Sequence, residues 1–223
     1  LQSITIQDRY AYVSSICASP KGPVGVVVPQ GGQPNVANVK TTTHGVVSVI
    51  DLSADKEATG ATASLHARFD EHFTANNVAD DGSRRYPAVP ADIGFVRGGQ
   101  VGYVVANGAD SVFRVRYDVA QASAITEVSS PTQPFINLNP AGIAADKSGQ
   151  NPIGIATPNQ DAHKRFAFVA NDVSRNVSVI DFNTQAIAGG ASDSAVVVRA
   201  SALPGENSTE DRIRKGKRFF NTA

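Results

Sequence analysis

Methionine and tryptophan are absent from this 223-residue sequence, and Cys17 is its single cysteine. One thiol cannot form an internal disulfide. The segment Cys17-Ala18-Ser19-Pro20 is not a haem-attachment motif, so we expect an unreactive thiol that is buried or lies in a loop. A translated reading frame begins with Met, whereas this sequence begins with Leu1 and has no recognisable signal peptide. We therefore expect a fragment or a processed chain.

The sequence also lacks a net charge, since 20 basic residues balance 20 acidic ones, and it contains only four histidines. Without a basic excess, we expect no nucleic acid among its partners. No apolar run approaches the length of a membrane-crossing helix, so no membrane span is predicted. The abundant Val, Ala, Ser, Asn, Gly and Pro favour short strands separated by many turns.

The clearest pattern that is present lies between Asn151 and Ile187. Phe166–Ala170 is apolar, residues 171–176 are rich in Asn, Asp and Ser, and Val177–Asp181 is again mostly apolar. β-branched and aromatic residues bounded by turn-forming residues predict two strands joined by a turn. A helix needs apolar residues at three- and four-residue spacing over a longer run, and the turn interrupts this run too early.

The same arrangement recurs twice earlier in the chain. Pro90–Ile125 repeats it, with the pair Asn107-Gly108 at the position of the turn. Apolar and charged residues alternate in its last strand in the order Phe113, Arg114, Val115, Arg116, Tyr117. This period of two is typical of a strand with one face in a core. A more degenerate copy spans Arg9–Asp51.

The repeat predicts the architecture. Each copy closes on an aspartate, and Asp51, Asp118 and Asp181 recur at nearly equal intervals in the numbering. An approximate period with insertions is typical of repeat folds, and four-stranded units form the blades of β-propellers. The alternative is a β-sandwich with coincidental hairpins. Three long blades are fewer than a closed propeller needs, so we expect further blades from the rest of a parent chain.

At these residues the chain resembles the YVTN-type β-propeller repeat proteins. Their repeat has a Tyr-Val-Thr/Ala-Asn strand end, followed by a valine-rich strand that ends in Ile-Asp. The corresponding segments here are Tyr103–Asn107, Phe168–Asn171, Val46–Asp51 and Val177–Asp181. The first copy lacks the Asn, and the second has Tyr117-Asp118 in place of Ile-Asp. The resemblance covers about half of the chain and implies an all-β propeller at residues 1–203.

Two insertions, at residues 16–43 and 52–89, interrupt the blades. In the first, Val24–Val28 is a candidate strand. In the second, Leu65, Phe69 and Phe73 are spaced four apart, which predicts one apolar face of a short helix. His66, Asp70 and His72 belong to the same segment and are the residues to consider for a metal site. Zinc sites need three or four ligands, so we expect solvated side chains and no metal.

The sequence changes character after Leu203, and residues 204–223 predict a linker and a basic amphipathic helix. Ser208 can cap this helix, with acidic residues in its first turn. The segment Gly216–Phe220 resembles the opening helix of the dihaem cytochrome c peroxidase-like domain, which comes shortly before a haem-binding motif. The resemblance implies contacts with a haem domain from Ile213, Lys215, Gly216, Lys217, Phe219 and Phe220. The alternatives are an ordinary terminal helix that packs on the propeller and a basic frayed tail.

No Cys-x-x-Cys-His motif is present, so we expect no cofactor in this chain and haem c in a parent protein. The leading hypothesis is the scaffold of a secreted or periplasmic bacterial electron-transfer or peroxidase-like protein, with a redox protein as partner. A second hypothesis is a non-catalytic cell-surface or extracellular binding propeller. A third is a propeller enzyme, either lactonase-like or the large subunit of a quinoprotein. The sequence shows no catalytic constellation for the third.

Overall fold

The structure is a computed structural model, and it describes residues 2–18, 43–58, 61–79, 84–96, 101–118, 124–128, 134–158, 165–190 and 193–221. The candidate strand Val24–Val28 lies outside these residues. Three antiparallel sheets follow one another along the chain, each with a path of four strands and a fifth strand beside it.

The first sheet contains the copy of the repeat that is most degenerate in sequence. Its strands are β1 (Ser3–Gln7), β2 (Tyr10–Ala18), β3 (Thr43–Asp51), β4 (Lys56–Glu57) and β5 (Ala63–Ser64). The strands β1 to β4 pair in sequence order, and β5 pairs with β3. β2 extends through residues 16–18, which the sequence pattern had assigned to the first insertion, so that boundary was wrong.

The second and third sheets contain the two clearer copies. The second consists of β6 (Pro90–Phe95), β7 (Val101–Ala106), β8 (Ser111–Asp118), β9 (Ala124–Val128) and β10 (Phe135–Asn137). The third consists of β11 (Pro152–Ala156), β12 (Phe166–Asn171), β13 (Asn176–Asp181), β14 (Ala186–Ile187) and β15 (Val197–Arg199). The alternation predicted for β8 is confirmed, because Phe113, Val115 and Tyr117 are buried and Arg116 is exposed.

The register of the strands corrects one detail of the repeat. Tyr10 lies opposite Asp51, and Phe166 lies opposite Asp181. In the second sheet, however, the first residue of β7 lies opposite Arg116. Asp118 comes later on a longer strand, so it is not equivalent to the other two aspartates.

Among the described residues, two α-helices interrupt the all-β pattern. Helix α1 (Leu65–Ala75) lies within the second insertion, and Ser64 caps it by accepting a hydrogen bond from the backbone N–H of Ala67 at 3.3 Å. The side chains of Leu65, Phe69 and Phe73 are fully buried, which confirms the predicted apolar face. Helix α2 (Thr209–Asn221) begins directly after Ser208, as the sequence predicted.

The three sheets pack in sequence order and form two apolar cores. The core between the first two sheets contains Tyr12, Val49, Ile93 and Val115, and the apolar face of α1 joins it. The core between the second and third sheets contains Tyr103, Val105, Leu138, Val169 and Ile180. Repeated four-stranded antiparallel sheets that pack one after another in chain order are the arrangement of β-propeller blades. The chain is therefore all-β with a propeller architecture and a C-terminal helix.

Candidate functional site

Helix α1 brings two of the three candidate metal ligands against Tyr86. The imidazole of His66 stacks on the Tyr86 ring, with centroids 4.2 Å apart and planes inclined by 14°. The Tyr86 hydroxyl donates a hydrogen bond to Asp70 Oδ1 at 2.8 Å. His66 and Asp70 are thus parts of a packed cluster, and His66 is half-buried rather than solvated as the sequence predicted.

A second histidine completes this cluster. His44 lies in β3, and its side chain is buried. Its ring meets the His66 ring edge to face, with centroids 4.9 Å apart. Burial lowers the pKa of His66, and His44 lowers it further, whereas Asp70 raises it. The site therefore favours a neutral His66.

The third candidate ligand contributes to a different contact. The His72 ring meets the Phe73 ring edge to face at a centroid distance of 6.0 Å. Among the residues that the structure describes, no group of three His, Cys, Asp or Glu side chains is arranged to hold a metal ion. His66 and Asp70 contribute here to aromatic packing and a hydrogen bond. Sequence spacing missed His44 and Tyr86 because both are distant from α1 along the chain.

The second candidate site is the start of α2. Ser208 Oγ accepts a hydrogen bond from the backbone N–H of Asp211 at 3.1 Å. In return, Asp211 Oδ2 accepts one from the backbone N–H of Asn207 at 3.1 Å. This reciprocal arrangement resembles a capping box and fixes where the helix begins. Asn207 has a φ of 62°, in the left-handed region that Asn tolerates.

Asp211 is also the centre of an ion-pair network. Lys215 Nζ and Arg214 Nη2 each lie 2.7 Å from an Asp211 carboxylate oxygen. The hydrogen bonds from Lys215 and Arg214 hold the pKa of Asp211 far below its ordinary value. The carboxylate itself is almost fully buried, so it needs these partners. Two of the five basic residues of α2 thus form ion pairs with an acidic residue in the first turn of the same helix.

The polar side of α2 attaches to the third blade. Arg214 Nη1 donates to the backbone carbonyl of Val173 at 3.1 Å, in the turn between β12 and β13. Lys217 Nζ lies 2.9 Å from Asp172 Oδ2 in the same turn. A cavity of about 380 Å³ opens beside this contact, and its lining includes Gln150, Ser174, Leu203, Arg214 and Lys215.

The residues that resembled a haem-domain helix have different environments in α2. Lys215 and Lys217 take part in the ion pairs just described. Ile213 is 60% exposed. Apart from the backbone of α2 itself, no group of the described residues lies within 4 Å of the position that a Cβ on Gly216 would occupy. The side chains of Phe219 and Phe220 lie outside the described part of the chain.

Two further predictions concern single features. Cys17 is an exposed free thiol in β2, rather than a buried or loop thiol. It lies opposite His44 in the sheet register. Among the described residues, no helix is long and apolar enough to cross a membrane.

No protein-family model matches the chain, and no curated protein matches it. Solved structures do resemble it. One is a functionally unknown protein of Desulfotomaculum acetoxidans, with 15% identity and a TM-score of 0.48 over 91% of this chain and 43% of that one. Another is the periplasmic gluconolactonase of Pseudomonas aeruginosa, with 18% identity and a TM-score of 0.46 over 88% and 40%.

A third similar structure is the hydrazine synthase of Kuenenia stuttgartiensis, with 18% identity and a TM-score of 0.42 over 78% of this chain and 42% of that one. The chain thus spans less than half the length of each of these three proteins. Because these three TM-scores lie below 0.5, the propeller assignment rests on the register and packing of the three sheets.

Proposed function

We propose that this chain is the β-propeller scaffold of a secreted or periplasmic electron-transfer or peroxidase-like protein, in which a c-type haem domain follows α2. The observation that carries the proposal is that polar side chains attach this helix while an apolar one stays exposed. Arg214 and Lys217 bind the turn of the third blade, Asp211 fixes the start of the helix, and Ile213 is 60% exposed.

A terminal helix that only covers a blade would bury its apolar side, since that burial is what stabilises a surface helix. Here the apolar Ile213 and the open backbone at Gly216 are left for another partner. The resemblance of Gly216–Phe220 to the opening helix of a dihaem domain supports a haem domain as that partner. The blades then supply a docking surface, and haem supplies the redox chemistry when bound.

The first test is the mass and absorption spectrum of the parent protein purified from its source. A Soret band, together with a mass well above the 23.3 kDa of this chain, is the expected result. A colourless protein would overturn the haem assignment. The chain would then be regarded as a binding propeller, and its ligand would be sought separately.

The second test addresses the contact itself. In the haem-containing parent protein, Ile213→Gln should loosen the following domain, and Arg212→Gln is the matched control because Arg212 is exposed in the same turn. We expect faster proteolysis between the propeller and the haem domain in the Ile213 variant alone. Equal cleavage of both variants would place the domain contact elsewhere.

A further inference from the structure

The strand register assigns each residue of one blade an equivalent position in the other two blades. Three aromatic side chains occupy the third position of the second strand in each blade: Tyr12 in β2, Tyr103 in β7 and Phe168 in β12. Residues that alternate along a strand point to the same face of the sheet. In the first two blades this third position points toward the next blade along the chain, so it marks one face of every blade, here called the forward face.

The forward aromatic is covered in the first two blades. The Tyr12 ring lies 4.5 Å from the Phe95 ring of the second blade, measured between centroids. The Tyr103 ring lies 4.3 Å from the Phe182 ring of the third blade. Phe168 has no later blade to meet among the described residues, and 42% of its surface is exposed. In the part of the chain that the structure describes, the forward face of the third blade is thus an apolar face without a cover.

The opposite face, here called the backward face, shows the same relationship in reverse. In the second blade, Ile93 and Phe95 belong to the core shared with the first blade, and both are buried. Ile4 is the register equivalent of Ile93, because each lies opposite the fourth residue of the second strand. Ile6 is likewise the equivalent of Phe95. Ile4 and Ile6 are 58% and 63% exposed.

The third blade shows how the backward face normally packs. Ile155 is its equivalent of Ile4, since it lies opposite Val169. Ile155 packs closely over the second blade. A Cβ added at Gly94 would lie 3.1 Å from Ile155 Cγ2. The Ile155 backbone N–H also donates to Asp92 Oδ2 at 2.9 Å. Ile4 offers the same kind of strand to a blade that would precede it.

One pair of turn residues fixes the contact more closely. Phe182 follows the aspartate that lies opposite the first residue of β12, and Leu52 follows the equivalent aspartate of the first blade. Phe182 receives the forward aromatic of the second blade, whereas Leu52 is 48% exposed. Leu52 is therefore the equivalent receiving position on the first blade.

The contact between the second and third blades includes a hydrogen bond that the forward face of the third blade and the backward face of the first blade cannot form. Gln185 Nε2 donates a hydrogen bond to the Tyr103 hydroxyl at 2.9 Å. Asp55 takes the place of Gln185 in the first blade, at the same distance after its closing aspartate. Phe168 takes the place of Tyr103 and has no hydroxyl. A phenylalanine placed on Leu52 therefore buries no polar group that would need the missing amide.

From this complementarity we propose that the chain associates with a second copy of itself, head to tail. The forward face of the third blade of one copy docks on the backward face of the first blade of the other, with Phe168 on Leu52. Both halves of the contact belong to one sequence, and the chain already forms that contact twice internally. Two different patches meet, so the interface is heterologous: two copies can close a ring, or more copies can extend it.

The first experiment is sedimentation equilibrium of the 223-residue chain. We expect masses at multiples of 23.3 kDa. Phe168→Thr and, on the opposite face, Ile4→Thr should each weaken association by roughly tenfold or more, as expected for a central apolar contact. Ile213→Gln, an exposed apolar residue outside both faces, is the control and should leave association unchanged. Far-ultraviolet circular dichroism confirms that each variant is folded.

The second experiment distinguishes head-to-tail docking from any other association. In a Cys17→Ser background, Phe168→Cys and Leu52→Cys copies are prepared separately and then mixed under mild oxidation. We expect disulfide-linked pairs in the mixture and few in either preparation alone. Cross-linking of Phe168→Cys copies to one another would indicate a face-to-face contact and overturn the proposal.

A monomer at every protein concentration would also overturn the proposal, and would assign the two faces to further blades of a longer chain. The two faces do not include α2. A colourless parent protein, which would overturn the haem assignment, would therefore leave this inference unaffected.

Discussion

Tyr103 and Phe182 stack across the contact between the second and third blades, with ring centroids 4.3 Å apart and planes inclined by 22°. The Tyr103 hydroxyl accepts a hydrogen bond from the Gln185 amide at 2.9 Å. Burial raises the pKa of this hydroxyl, so Tyr103 remains neutral and keeps its hydrogen bond at physiological pH. One side chain thus gives the blade contact both apolar area and a polar anchor.

Truncating Tyr103 should therefore destabilise the chain strongly. We expect Tyr103→Ala to lower the free energy of unfolding by about 3 to 5 kcal/mol, the usual cost of removing a buried aromatic side chain. Tyr103→Phe keeps the stack and loses only the hydrogen bond, so about 1 kcal/mol is expected. Phe168→Ala, at the equivalent but half-exposed position, is the control. Denaturant unfolding at low protein concentration provides the measurement, and equal losses for Tyr103→Ala and Phe168→Ala would contradict the structure.

The lowered pKa of His66 predicts a pH dependence of stability. The unfolded chain binds a proton near the ordinary pKa of 6.5, whereas burial and His44 disfavour that proton in the folded state. This contribution to stability is complete above the unfolded pKa. It is lost as the pH falls from there toward the lower folded pKa. Stability should therefore decrease between about pH 7.5 and about pH 5.5.

His66→Phe tests this assignment, because a phenyl ring can still stack on Tyr86 and cannot titrate. Urea unfolding at the two pH values should show a smaller loss in the variant than in the natural chain. Asp70 and His44, which also face this ring, are unchanged in both proteins. An equal loss in both would mean that His66 does not cause the pH dependence.

The capping arrangement at the start of α2 gives a third prediction. Ser208→Ala removes the acceptor for the Asp211 N–H and should cost about 1 kcal/mol of helix stability. Asp211→Asn should cost more, because it leaves the Ser208 cap in place but breaks the ion pairs with Arg214 and Lys215. Hydrogen exchange of the helix amides measures both effects. Glu210→Gln changes an exposed carboxylate in the same turn, and its exchange should stay close to that of the natural chain.

Gly216 distinguishes a free helix from one that is covered by another domain. In the 223-residue chain, Gly216→Ala should stabilise α2 by about 1 kcal/mol, because nothing obstructs a Cβ there and Ala favours helix. In a parent protein with a domain packed over this position, the added methyl group should destabilise the contact instead. The same hydrogen-exchange measurement on both proteins provides the comparison. Stabilisation in both would show that no domain covers Gly216.

The sequence predicted the elements that depend on local patterns. β12 and β13 coincide with the predicted strand pair almost to the residue, since a run of β-branched and aromatic residues bounded by Asn and Ser suits few other structures. Helix α1 was also predicted from a local pattern, because its apolar residues recur every four positions. The Ser208 cap was predicted in the same way, from the residue type before the helix.

Features that depend on distant residues were not predicted. The contact between His44 and His66 is one of these, because His66 belongs to α1, a separate element that no local pattern connects to β3. Asp118 looked equivalent to Asp51 and Asp181, because the length of β8 cannot be read from the motif alone. Cys17 was placed outside a strand, since the sequence gives little sign that β2 continues past residue 15.

The sequence by itself determined that this chain forms repeated short strands, a buried stripe on one inserted helix and a capped basic helix at its end. Periodicity, turn residues and capping residues act within a few positions, so they can be read directly. Only the tertiary structure decided which side of α2 holds the third blade. It also decided which apolar residues stay exposed: Tyr12 and Phe168 occupy the same position in the repeat, but Tyr12 is covered by a neighbouring blade and Phe168 is not. The physical reason is that burial depends on what packs above a strand, and the strand's own residues do not specify that.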